Sequence, residues 1–265
     1  IQAGVSSSAT ASAADPLLAA QADAEAAGLK ALASSTLTGS LSSAKVALVV
    51  LPGASDDDVT AIRSTLTDAG ASVVGRVTLT ENWQSTSMSQ YRTTLSTTLA
   101  SHLASGAAKT ASADGVVGYS IVQVLTTTGA ETDLLRQILT DESTPIMTVD
   151  EDANGSATAI VAVGPRAQAS AVSNATPAAV TQSPDAWVGL SQALGSTNGV
   201  LVGDASTRDA MISHVRASGV TVTTVDSVGT TLAAVDTALA LSTPATGARA
   251  FGVGTGAQSV IPPVK

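Results

Sequence analysis

The chain has 265 residues, 44% of them hydrophobic, with five aromatic residues, 12 Lys and Arg against 21 Asp and Glu, two His and no Cys. That supports a real core built almost wholly from Val, Leu, Ile and Ala, while a net charge of −9 with so few stacking rings argues against nucleic acid as a partner. Without Cys there is no disulfide, thiolate nucleophile, zinc ribbon or iron–sulfur site, and two imidazoles exclude a three-His metal centre within one chain.

Residues 1–14 are small and polar and read as a flexible lead-in. Because the first residue is Ile1, a signal peptide, membrane anchor or other leader is expected upstream. Asp15-Pro16 predicts an N-cap and first helical position for a helix to about Ser34, with Leu18, Ala22, Glu25, Leu29 and Leu32 at helical spacing. This is a packing or oligomerising helix, or a short coiled coil. From Lys45 the pattern changes. A continuous apolar run over 45–51 predicts a buried strand, Asp56–Ala69 a helix and Ser72–Leu79 a second strand, joined as a right-handed parallel crossover. Helices are predicted over 89–104, 114–127 and 131–142, strands over 145–149 and 157–163, and a loop or lid over 164–184. A helix over 185–194, strand over 199–203, helix over 206–218, strand over 220–226, helix over 230–241 and strand over 248–253 complete the series.

Segments 46–77 and 199–225 echo each other: a Val-rich strand, a turn of small residues, a helix with early acids, a Gly stop and a second Val-rich strand. The expected fold is therefore α/β, with a doubly wound, mostly parallel sheet, helices on both faces and a helical stalk in front. Residues 1–44 would form the lead-in and stalk, and residues 45–265 the α/β domain.

Three polar motifs sit near strand ends. Asp56-Asp57-Asp58 begins a helix, where carboxylates complement the helix dipole and could also hold a hard cation. Asp150-Glu151-Asp152-Ala153-Asn154-Gly155 matches the start of a calcium loop, but Val161 stands where its bidentate Glu belongs, and an Asn-Gly hairpin accounts for the same residues. Gly252-Val253-Gly254-Thr255-Gly256 follows a strand, yet Pro262-Pro263 prevents the helix a dinucleotide loop needs, leaving a glycine turn or a small-anion nest. No nucleophile-elbow, phosphate-loop or zincin motif is present, so catalysis has no anchor, and a hydrolase would need His102 or His214 beside a Ser and a carboxylate. The soft metal ligands are Met88, Met147, Met211, His102 and His214. Of these, Met211 and His214 stand three apart on one predicted helix and form the candidate copper contact, against the alternative of a core Met beside a half-exposed His.

The stretch AKVALVVLPGASDDDVTAIRSTLTDAGASVVGRVTLTE (44–81) and the tail FGVGTGAQSVIPP (251–263) resemble the actinobacterial copper transport protein MctB family. The resemblance implies a membrane helix N-terminal to this sequence, a stalk, an extracytoplasmic α/β domain in the cell envelope and a role in limiting copper accumulation. It supplies no ligand motif to place on these residues. Membrane attachment and homo-oligomerisation through the stalk are the expected partnerships. Two soft ligands predict weak or no stoichiometric copper binding by the domain alone. The alternative is a non-catalytic ligand-binding or structural envelope domain with a small-molecule site at the switch point of the sheet.

Overall fold

The computed structural model describes residues 16–167, 182–243 and 247–263; most of the predicted loop or lid over 164–184 lies outside the described residues. In chain order the elements are α1 (Pro16–Leu37), β1 (Lys45–Val50), α2 (Asp56–Asp68), β2 (Ser72–Leu79), α3 (Glu81–Gln84), α4 (Ser89–His102), α5 (Gly106–Lys109), α6 (Ala113–Thr126) and α7 (Ala130–Leu139). There follow β3 (Met147–Glu151), β4 (Ala159–Val163), α8 (Pro184–Gly195), β5 (Asn198–Val202), α9 (Met211–Ala217), β6 (Thr223–Val225), α10 (Thr231–Ser242) and β7 (Arg249–Phe251). One seven-stranded sheet runs in the order β3-β2-β1-β4-β5-β6-β7.

The strands are parallel except β3, which pairs antiparallel with β2. The reversal has a local cause. Thr80, just past β2, donates its N–H to the Ile146 carbonyl (2.9 Å) and its hydroxyl to the Pro145 carbonyl (2.5 Å). The start of β3 is thereby fixed beside the end of β2, and the strand can only run back. Asn154 (φ 47°) and Gly155 (φ 63°) make the tight turn expected of an Asn-Gly pair, but no hairpin. The strands they join, β3 and β4, are separated in the sheet by β2 and β1.

Consecutive residues of the central strands feed two separate cores. Ala47, Val49, Val77, Leu79, Ile160, Ala162 and Leu201 face the layer of α4 and α6–α9. Val46, Leu48, Val50, Ala159, Val161, Val163, Val200 and Val202 face α1, α2 and α10. Burial on both sides is why β1, β4 and β5 read as apolar runs, whereas β2, with Arg76 and Thr78 opposite Val77 and Leu79, does not.

The same requirement explains the crossovers. The unit β1–α2–β2 steps toward one edge over the α2 face, while β4–α8–β5 and β5–α9–β6 step toward the other edge over the opposite face. Reversing both direction and face preserves handedness, so these three share one hand. The unit β6–α10–β7 steps the same way as the last two but over the α2 face, and its hand is therefore opposite, against a strong general preference. With α8 and α9 on one side, Val161, Val163, Val200 and Val202 lack cover on the other unless α10 crosses there.

Helix α1 differs from its predicted face. Its last turns pack through Leu29, Ala33 and Leu37, while Leu18 and Leu32 of the predicted stripe remain exposed and residues 16–25 are exposed on every side. On the other layer, α6 and α8 cross with their backbones in contact: a Cβ on Gly118 would stand 2.6 Å from the Gly189 carbonyl oxygen. Nearby, Arg92 of α4 is fully buried. Its Nε donates to Asp114 (2.5 Å) at the start of α6, and its Nη1 donates to the carbonyls of Ser85 (2.7 Å) and Asn82 (3.2 Å). Arg92→Met would strand one largely buried carboxylate and two carbonyls, so it should lower stability by about 3–5 kcal/mol in denaturant unfolding. A loss under about 1 kcal/mol would show that the network is incidental.

Candidate functional site

Asp56–Asp58 and the glycine-rich tail lie at the carboxyl ends of the parallel strands, whereas Asp150–Gly155 lies at their amino ends, just before β4; the direction of the crossovers changes between β1 and β4. Open α/β sheets place ligands at such a point. Asp58, from the first turn of α2, is 4% exposed, and Arg166, from the segment after β4, grips it with two bonds: Nε to Oδ2 at 2.7 Å and Nη2 to Oδ1 at 2.6 Å. Gly229 (φ +91°) lets the chain before α10 lie against this guanidinium, since a Cβ there would stand 2.5 Å from Nε. A cleft of about 250 Å³ opens beside the pair, lined by Asp57, Asp58, Arg166 and Gly229–Thr231. Asp56 pairs with Arg76 at 2.9 Å, so two of the three acids serve as partners for distant arginines.

The calcium-like acids diverge. Asp150 accepts from Thr78 (2.6 Å) and lies near Arg76, Glu151 takes two bonds from Arg63, and Asp152 is held by Arg136 and by the N–H of Asn154. The Arg63 bond holds Glu151 below the usual carboxylate range, and Arg136 does the same for Asp152. Among the described residues no group of three or more His, Cys, Asp or Glu is placed to hold a metal ion.

The glycine-rich tail forms an anion nest whose anion belongs to the chain itself. Asp226, 1% exposed at the end of β6, accepts the N–H groups of Val253 (2.8 Å) and Gly254 (2.9 Å), the Ser227 hydroxyl (2.7 Å) and Arg216 Nη1 (2.9 Å). Burial pushes its carboxyl up, but the four donors outweigh burial and hold it below the ordinary value. Gly252 (φ +121°) is required here, because any Cβ would overlap the Asp226 carboxylate. Arg216 also donates to the carbonyls of Phe251 and Thr255, so one guanidinium joins α9 to the C-terminal segment. Residue types alone signalled the nest; only the fold supplied its occupant.

The predicted helix over 206–218 is shorter, beginning at Met211. Asp204 captures the N–H of Ser206 with its side chain (2.7 Å) and that of Ile212 with its carbonyl (2.9 Å), turning the chain before the helix starts. Met211 and His214 both lie on α9. Met211 is 5% exposed, its methyl in the space left by Gly164 and Gly203 at the ends of β4 and β5. His214 is half-buried and meets the Trp187 ring edge-on, centroids 6.1 Å apart. Met147 is on β3, at the opposite edge of the sheet. His102 pairs with Glu131 at 2.5 Å across α4 and α7, and no Ser is hydrogen-bonded to either imidazole among the described residues.

Met211→Ala should therefore cost about 2–5 kcal/mol in thermal or denaturant unfolding, because it empties the space between two strand ends. His214→Gln should change stability by less than about 1 kcal/mol, since its ring lies at the margin of the core. The reverse ranking would show that the wedge is misassigned.

A comparison with curated proteins found no match. Against protein families, residues 5–262 match the one described as "Copper transport outer membrane protein, MctB", nearly the whole length of the sequence. The chain belongs to the MctB copper transport outer membrane protein family.

Proposed function

We propose that this chain is the extracytoplasmic part of a membrane-anchored copper-homeostasis component of the cell envelope, acting in copper transport or efflux and not as an enzyme. The carrying observation is the family match over residues 5–262, whose description joins copper transport with the outer membrane. Two features of the chain support the finer reading. Residues 16–25 of α1 are exposed on every side, as a stalk standing off the domain would be. No helix among the described residues is long and apolar enough to cross a membrane, so in this reading attachment is made by a segment outside them.

Copper is the cargo in this proposal, and Met211 with His214 is the first contact assigned to it on this domain. A thioether and an imidazole suit Cu(I), but two ligands make a weak site that needs a third from a partner or the cargo's carrier. A second reading rests on the cleft beside Asp58 and Arg166, which could seat a small polar ligand at the switch point. Deleting the gene in a strain without paralogues should raise cell copper and copper sensitivity, and the full-length protein should restore both. Unchanged copper content would overturn the transport reading. A thermal-shift rise with a small polar ligand, lost in Arg166→Ala, would then favour the second.

A further inference from the structure

Asp236 lies in the middle of α10, is fully buried, and among the described residues neither oxygen of its carboxyl has a hydrogen-bond partner. Buried polar groups are nearly always paired, so an orphan of this kind calls for a role. It also falls in the one crossover of opposite hand, and departures from folding rules concentrate where function or switching requires them.

Among the described residues the groups around α10 offer Asp236 no counter-charge. Lys30 of α1, Asp57, Asp58 and Asp68 of α2, and Arg166 line the clefts along the side of α10 that carries Thr231, Ala234 and Val235. Strand β5 contributes no charged residue. Arg249 of β7 is committed to the carbonyls of Thr243 and Ala240 and to the Thr223 hydroxyl. The charge that acts on Asp236 is Asp226, after β6, and it is negative. Burial first, and then Asp226, push Asp236 up to about 7.

We propose that Asp236 is a proton-operated latch for the C-terminal segment: uncharged, it leaves the segment clasped on Asp226 and Arg216, and ionised, it loosens that clasp. Once Asp236 is charged, two buried carboxylates repel each other, and among the described residues Arg216 is the one cation bonded to either. Relief comes from admitting water, and the segment that gives way is the loop of Val253 and Gly254, which is held to Asp226 by two N–H bonds and beyond them by the bond from Arg216 to the Thr255 carbonyl and by that from the Thr255 N–H to the Ala205 carbonyl. The sign is fixed by linkage. With its folded pKa above the unfolded one, Asp236 favours the native state fully at pH below the usual carboxylate range, and this contribution is lost as pH rises through about 7. Asp226 behaves oppositely, contributing above the usual carboxylate range and failing only on acidification.

The test uses the full chain. Carboxyl carbon resonances should show Asp236 titrating near neutrality. Amide exchange protection at residues 252–258, referred to β1 as an internal standard, should fall about tenfold or more from roughly pH 5.5 to pH 8. Asp236→Asn should remove the fall. The proposal is overturned by constant protection in the wild type, by an equal fall in Asp236→Asn, or by an Asp236 titration in the ordinary carboxylate range. Should Asp236→Asn fail to fold, the wild-type titration and exchange decide the matter alone.

Discussion

Three central strands of this protein, β1, β4 and β5, carry buried apolar residues on both sides, and every one of those residues has to be covered. This two-sided burial organises the rest. It puts α2 on one face and α8 and α9 on the other, creates the switch point between β1 and β4, and draws α10 across the face that the right-hand rule would leave bare. It also accounts for a core with few rings. Val and Ala pack closely between a sheet and its helices, and the α6–α8 crossing at Gly118 and Gly189 shows how close the backbones come.

An acidic chain with few cations must distribute them carefully. Arg63, Arg76, Arg92, Arg136, Arg166 and Arg216 each hold at least one carboxylate, and the pairs Arg63–Glu151, Arg76–Asp150 and Arg166–Asp58 join elements far apart in sequence. Arg166 ties the segment after β4 to α2 across the switch point, and Arg216 ties α9 to the tail through Asp226. The exposed pairs contribute little to stability, whereas the buried ones fix which loops meet. Asp236 stands outside this pairing, which is why its protonation matters to its surroundings.

Most of the layer plan was legible in residue patterning. Apolar runs over 45–51, 157–163 and 199–203 marked the parallel strands, and the acid-started helices and Gly stops marked the crossovers. Three features were not, each because distant groups decide it. The direction of β3 depends on Thr80 meeting Pro145 and Ile146. The hand of the last crossover depends on which face α8 and α9 leave open. The occupant of the glycine nest is a carboxylate some 27 residues upstream of the Val253 N–H that it binds. At the candidate copper contact, spacing correctly placed Met211 and His214 on one helix. It could not tell that Met211 would be wedged between two glycines while His214 lay against Trp187.

In the proposed reading copper finds only a weak foothold on this domain: a buried thioether and a half-buried imidazole, with no thiol anywhere in the chain. The most direct test of that reading is competition for Cu(I) between the purified chain and a chromogenic chelator, with wild type, Met211→Leu and His214→Gln side by side. The prediction is weak or no stoichiometric transfer of copper to the wild type, with any transfer reduced in both variants. Tight stoichiometric binding that survives both substitutions would contradict the account, because it would place the copper site on residues other than these.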